Sequence, residues 1–159
     1  MDPLTDWFTA VGTVVAALAA VVAAWMAKRA ADIAQGAANT WRDTLQNQRT
    51  DECIAAASDL QASINRCISA AQGRRRNEIW PTYSDAWNHQ TKFRGTYLGA
   101  RRYRQSLNSD VPVQIDALLN RLRLSCLSVA DGGNCEEKEV SDIQTGIGGI
   151  VSSVRTQLG

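Results

Sequence analysis

The sequence predicts an all-α protein: a single N-terminal transmembrane helix that continues into a long stem, followed by a small antiparallel helical bundle. Three observations carry this. Residues 7 to 27, WFTAVGTVVAALAAVVAAWMA, run for 21 positions without a charged side chain. Beyond them, apolar residues recur at intervals of three and four, the helical period. No stretch sustains the period-two alternation of a half-buried strand. The expected boundaries are a transmembrane anchor at 1–28, a helical stem at 29–52 and a cytosolic bundle domain at 53–159.

A helix of 21 residues is about 31 Å long, close to the roughly 30 Å hydrocarbon core of a bilayer. Trp7 and Trp25 stand near its two ends, where indoles favour the membrane interface, and Lys28 and Arg29 follow as further interface anchors. A cleaved signal peptide would open on a basic region, whereas this chain has Asp2 and Asp6 there. Two competing readings are the core helix of a soluble protein and a helix buried in a filament or virion. Eight alanines make the segment only moderately hydrophobic and keep the latter open.

The span has two faces. Val11, Val14, Val15, Leu18, Val21, Val22 and Trp25 form a bulky stripe; Gly12, Ala16, Ala20 and Ala24 form a smooth one. Small residues every four positions let helix backbones approach closely in lipid, so a homo-oligomer packed through this row is expected. Lys28, Arg29 and Arg42 all follow the span, and nothing basic precedes it. Positive charge stays on the cytoplasmic side, which places the protein in the inner membrane with a short outer N-terminal tail and a cytoplasmic C-terminus.

Net charge is +1 over 159 residues, which by itself implies no polyanionic partner. The distribution says more. Residues 74 to 104 hold eight Arg and Lys against Glu78 and Asp85, a local net charge of +6, while the flanking segments are slightly acidic. Cys53, Cys67, Cys126 and Cys135 are too widely spaced for a zinc-binding CxxC pair. In a cytosol they are free thiols, behaving mostly as small buried hydrophobes; in a periplasm the same four allow two disulfides.

Gly36 is the one interruption between Met26 and Gln72. Ile33, Ala37, Trp41 and Leu45 mark one apolar stripe; Ile54, Ala57, Leu60, Ile64, Cys67 and Ala71 resume it after the polar stretch 46–52. This predicts a long stem that Gly73 ends, longer than an ordinary globular helix, which suggests support from neighbouring chains. A second helix is expected from Thr82, spaced from Asp85 like a capping box with Pro81 ahead. Gly95 and Gly99 weaken it. Asp110 is the expected N-cap of a third helix, with Pro112 in its first turn and Ile115, Leu118, Leu119, Leu122, Cys126 and Val129 on its apolar face. Gly132 and Gly133 stop it, and Asn134 is the expected N-cap of the last helix. Val140, Ile143, Ile147, Ile150, Val151, Val154 and Leu158 run along that helix, where Gly146, Gly148 and Gly149 allow a close crossing.

Enzyme signatures are missing. One histidine, His89, leaves little for a triad or a His-based metal site, and no phosphate-loop, nucleophile-elbow or zincin motif occurs. A non-enzymatic protein with no cofactor and no metal is expected. The one chemical constellation is the basic-aromatic segment. Arg74, Arg75, Arg76, Arg101, Arg102 and Arg104, with Trp87 and Tyr97, are candidate anion-binding residues. Guanidinium forks bind phosphate and rings stack bases, so a nucleotide or an anionic lipid headgroup is the expected ligand. A helix of about 24 residues separates the two arginine clusters by about 36 Å, so they meet only by bending at Gly95–Gly99 or by pairing between chains.

One short-tailed span plus a small cytosolic domain is similar in layout to bacterial membrane effectors of anti-phage signalling systems. In those, a nucleotide messenger binds the soluble part and clustered spans disrupt the membrane. The resemblance covers the layout and no specific residues, and it implies an oligomeric effector or sensor. The alternative is an envelope or phage structural protein, such as a spanin-like lysis protein of reversed topology or a virion assembly protein, with no small-molecule ligand.

Overall fold

The protein is described here by a computed structural model that covers residues 3–158, with side chains from Val11 to Leu158. The side chain of Trp7, an expected interface anchor, lies outside the described residues. Four helices follow one another: α1 (Pro3–Gln72), α2 (Arg76–Arg101), α3 (Val111–Ala130) and α4 (Glu137–Leu158). No strand occurs among the described residues. The chain divides into two compact units, Met1–Leu45 and Gln46–Gly159.

The first unit is the leading part of α1. Its apolar residues have no cover from the chain: Val14 and Val15 are each 59% exposed, Leu18 62% and Val21 67%. Among the described residues, α1 is the one helix long and apolar enough to cross a membrane. Arg29 folds back over Trp25, its guanidinium 5.4 Å from the ring centroid, a cation–π contact at the end of the apolar run. Thr40 and Thr44 each donate to the carbonyl four residues earlier, a local bond that lets a hydroxyl sit on a helix surface. Ile33 and Trp41 are exposed, so the apolar stripe of the stem is uncovered as well.

The second unit is a four-helix bundle made of the later part of α1 with α2, α3 and α4. Cross-helix pairs give the register. Asp59 with Lys92 and Arg66 with Asp85 run α2 antiparallel to α1. The Gln90 amide bonds the Asp116 carboxylate, and Trp80 lies level with Arg123, so α3 is antiparallel to α2. Arg121 with Glu139, and Leu118 beside Gly146, run α4 antiparallel to α3. Ser58 with Arg155 closes the ring back to α1. The core contains residues that the apolar spacing marks, Leu60, Ile64 and Cys67 from α1, Ile115, Leu119, Leu122 and Cys126 from α3, and Val140, Ile143, Ile147 and Val154 from α4. It adds Ile68 from α1 and Ile79, Phe93 and Tyr97 from α2, which that spacing does not mark. Burying each large side chain is worth about 1.5–3 kcal/mol, and together they hold four helices that would each be marginal alone. The bundle starts at Gln46, earlier than the expected boundary at 53, because Thr50 is already buried.

Three local expectations are corrected. The second helix starts at Arg76, not near Thr82, so Pro81 lies inside it. The Thr82 hydroxyl bonds back to the carbonyls of Glu78 and Ile79 instead of capping, and Asp85 pairs with Arg66 at 2.6 Å. Pro81 is exposed and lies close to the helix start, where the carbonyl it leaves without a donor is near solvent. Asp110 stands at the N-cap position but makes no side-chain cap bond; its own amide is held by the Asn108 side chain at 2.9 Å. Asn134 does not cap the last helix, which begins at Glu137; its side-chain oxygen accepts from Arg74 instead.

The close crossing expected of the α4 glycines falls at Gly146 alone: a Cβ there would stand 3.0 Å from the Leu118 side chain, whereas Gly149 faces open space.

Candidate functional site

The basic segment occupies α2 and the turns at its two ends, and the bundle spends most of its charge on structure. At the first end, Arg74 takes a left-handed conformation (φ 51°) that turns the chain out of α1, and its guanidinium donates to Asn134. Arg75 pairs with Glu78 at 2.7 Å and also donates to Ser69 at 3.2 Å. Arg76 lies against Gly132 and has no ion pair among the described residues. In mid-helix, Lys92 reaches Asp59 at 3.3 Å and Arg94 reaches Asp116 at 3.7 Å, tying α2 to both neighbours.

At the far end, Arg104 donates to the Gln157 carbonyl at 3.2 Å. That carbonyl belongs to the last turn of α4, where no helical donor remains, so Arg104 acts as its cap. Arg101 and Arg102 have no ion pair among the described residues, and with Leu98 they border a shallow surface depression. Three cations of the segment, Arg76, Arg101 and Arg102, thus make no ion pair among the described residues.

The helix is continuous from Arg76 to Arg101, through Gly95 and Gly99. Its 26 residues extend about 38 Å, so Arg74, Arg75 and Arg76 stand at one end of the bundle and Arg101, Arg102 and Arg104 at the other. One chain does not bring the six arginines together.

The two expected aromatic platforms part company. Tyr97 is fully buried, its ring 5.4 Å from that of Phe93, and its hydroxyl donates to the Asn108 carbonyl at 2.7 Å. It is a core residue that pins the α2–α3 connection, which corrects its place among the ligand-binding residues. Trp87 is 45% exposed and lines a groove between α2 and α3. The groove has a volume of about 530 Å³ and is walled by Trp80, Tyr83, Ser84, Trp87, Asn120 and Arg123. Trp80 meets Tyr83 edge to face, with ring centroids 6.1 Å apart. Burial pushes the Tyr83 phenol above its ordinary value while Arg123 pulls it back, so the hydroxyl keeps its proton at neutral pH.

Arg123 went unmarked by the sequence. It belongs to the polar face of an ordinary amphipathic helix, and only the packing of α3 on α2 sets it beside two tryptophans.

No group of three or more His, Cys, Asp or Glu among the described residues has the spacing to hold a metal. The four cysteines are free thiols; Cys53, Cys67 and Cys126 are buried and Cys135 is partly exposed. The small-residue row of α1 is open: Gly12 has no neighbour within 4 Å of where a Cβ would stand, and Ala16, Ala20 and Ala24 are exposed. No protein-family model, curated protein or solved structure matches this chain.

Proposed function

We propose that the chain is a single-pass inner-membrane protein with a cytoplasmic helical bundle, acting as a non-enzymatic, oligomeric effector or sensor that responds to an anionic ligand or partner. One observation carries the membrane part: the apolar residues from Val11 to Met26 are exposed along the whole run. Leaving valines, leucines and a tryptophan in water costs about 25 cal/mol per Å², so lipid or other copies must cover them. Lys28, Arg29 and Arg42 favour the cytoplasm for everything that follows. The open row Gly12, Ala16, Ala20 and Ala24 suits packing of span on span. Arg76, Arg101 and Arg102, which no carboxylate neutralises, supply the attraction for an anion, and several copies together supply more.

The test has two arms. A cysteine introduced at exposed Ser109 is treated in intact cells with a membrane-impermeant maleimide. Protection until the membrane is opened is the expected result; labelling from outside would reverse the topology. In the second arm, expression of the intact chain is expected to depolarise the membrane, and Arg101→Glu with Arg102→Glu to suppress this while the protein stays helical and membrane-bound. Unchanged depolarisation by the double variant would remove the anion from the reading.

A reversed, envelope-spanning structural protein is the second reading, and one observation favours it. The thiols of Cys67 and Cys126 are 3.6 Å apart, and an oxidising compartment joins thiols that lie so close.

A further inference from the structure

We infer that the groove between α2 and α3 is a binding site for a planar aromatic anion: a flat ring held on Trp80, Tyr83 and Trp87, with its carboxylate or phosphate on Arg123. This rests on the reading of the bundle as the part that senses an anionic ligand, and it adds a site apart from Arg76, Arg101 and Arg102 and names the class of ligand that site takes.

Trp80, Tyr83, Ser84 and Trp87 fall at i, i+3, i+4 and i+7 of α2, so they share one face; Asn120 and Arg123 fall at i and i+3 of the facing helix α3. A soluble bundle ordinarily buries its indoles. Here both are left more than two-fifths exposed beside each other, although the core a few ångströms away is closed over Ile79 and Ala86. Arg123 is unusual in the same way. Its neighbour on α3, Arg121, is forked onto Glu139 by two bonds of 2.8 Å and lies near Asp142. Arg123 has no ion pair or hydrogen bond among the described residues, and it lines the groove beside Trp80, Tyr83 and Trp87.

The lining selects among ligands. It holds one cation and no carboxylate, so a cationic ligand gains the ring faces but is opposed by Arg123, with no carboxylate to offset that repulsion. A bare phosphate satisfies Arg123 and leaves three rings in water. A neutral ring covers the indoles and leaves the guanidinium without its anion. A ring carrying an anionic group meets both needs, because guanidinium forks match carboxylate and phosphate while indole faces accept flat π-systems. The Tyr83 hydroxyl, kept protonated by burial, and the side chains of Ser84 and Asn120 add donors and acceptors for ring heteroatoms. The volume of about 530 Å³ lies within the range that suits one small molecule of mononucleotide size.

The experiment uses the full chain in nanodiscs and follows quenching of tryptophan fluorescence. Two aromatic anions are titrated, adenosine 5′-monophosphate and 1-naphthoate, with adenosine and inorganic phosphate as half-ligands. Saturable quenching by at least one of the two anions, at concentrations at least tenfold below those needed for either half-ligand, is the expected result. Which of the two binds tells a phosphate source from a carboxylate source. Arg123→Gln is expected to weaken binding at least tenfold, and Trp87→Leu likewise, with the helical circular dichroism retained; both positions are exposed, so the fold tolerates the changes. Absence of binding by both anions at millimolar concentration overturns the proposal, as does binding that Arg123→Gln leaves unchanged. Suppression of depolarisation by Arg101→Glu/Arg102→Glu, with no binding in the groove, refutes this site alone and leaves the effector reading standing.

Discussion

The thiol of Cys67 on α1 lies 3.6 Å from the thiol of Cys126 on α3, across the diagonal of the bundle, and both side chains are fully buried. The bond between them pushes the Cys126 thiol up, and burial pushes it further. Cys53 is also held protonated, burial raising it to about 11 despite a bond from Thr96. Only Cys135 is partly exposed. Burial raises the Cys135 thiol and the Cys126 bond lowers that of Cys67, but only Cys135 is reachable by solvent, so it is expected to alkylate first at neutral pH, with the other three reacting only on unfolding. Mass spectrometry of protein alkylated under non-reducing conditions checks this. A Cys67–Cys126 disulfide in protein from intact cells would instead assign the bundle to an oxidising compartment.

Two glycines are expected to respond oppositely to the same change. A Cβ on Gly133 would stand 2.7 Å from the Ser128 hydroxyl and 2.8 Å from the Ser128 carbonyl, which is backbone and cannot move aside. Gly133→Ala should therefore cost about 1–3 kcal/mol through forced displacement of the α3–α4 turn. Gly149 lies inside α4 with open space around it, so Gly149→Ala should stabilise by about 0.5–1 kcal/mol through helix propensity. Urea unfolding of the two variants in the same detergent decides it.

The fork of Arg121 on Glu139 makes the α3–α4 contact sensitive to pH. The hydrogen bonds from Arg121 hold the Glu139 carboxyl below its ordinary value of 4.5. A carboxyl depressed in the folded state adds stability above its unfolded pKa, and that stability is lost as pH falls through the folded pKa. Glu139→Gln is expected to lower the urea midpoint at pH 7, and its difference from the unaltered chain should shrink below pH 4.5 and vanish once the carboxyl is protonated. A difference that stays constant down to pH 2 would mean that the contact acts through shape and not charge.

Association through the span is expected to depend on the smooth face of α1. Ala20→Leu adds bulk where backbones approach and should weaken self-association about tenfold, roughly 1.4 kcal/mol. Val21→Leu, on the bulky face, should change it little. Sedimentation equilibrium in detergent measures both. Equal behaviour of the two variants would remove the small-residue row from the interface.

The sequence by itself determined the helices, their apolar faces and the long uncharged apolar run at the start of α1. These depend on periodicity and on runs of one residue type, which are local. The core positions of α1, α3 and α4 are legible for the same reason: a residue recurring every three or four places is on the buried stripe wherever the partner helix lies; those of α2, Ile79, Phe93 and Tyr97, are not. Local signals failed where two of them competed. Pro81 and Thr82 look like a helix start, yet α2 begins six residues before Thr82 because Ile79 belongs to the core and helical packing outweighs the cost of a proline. Asn134 looks like a cap until Arg74, sixty residues away, takes its oxygen. The candidate site depended on tertiary structure most of all. Charge counting groups the six arginines, but the helix holds the two clusters about 38 Å apart, Arg75 is neutralised by Glu78, and Arg74 and Arg104 are tied to the neutral acceptors Asn134 and the Gln157 carbonyl. Tyr97 and Trp87 are ten residues apart on one helix and equally aromatic. Packing alone sends the first into the core and leaves the second beside Arg123, because which face of α2 meets α1, and which meets α3, is decided by contacts between residues far apart in the chain.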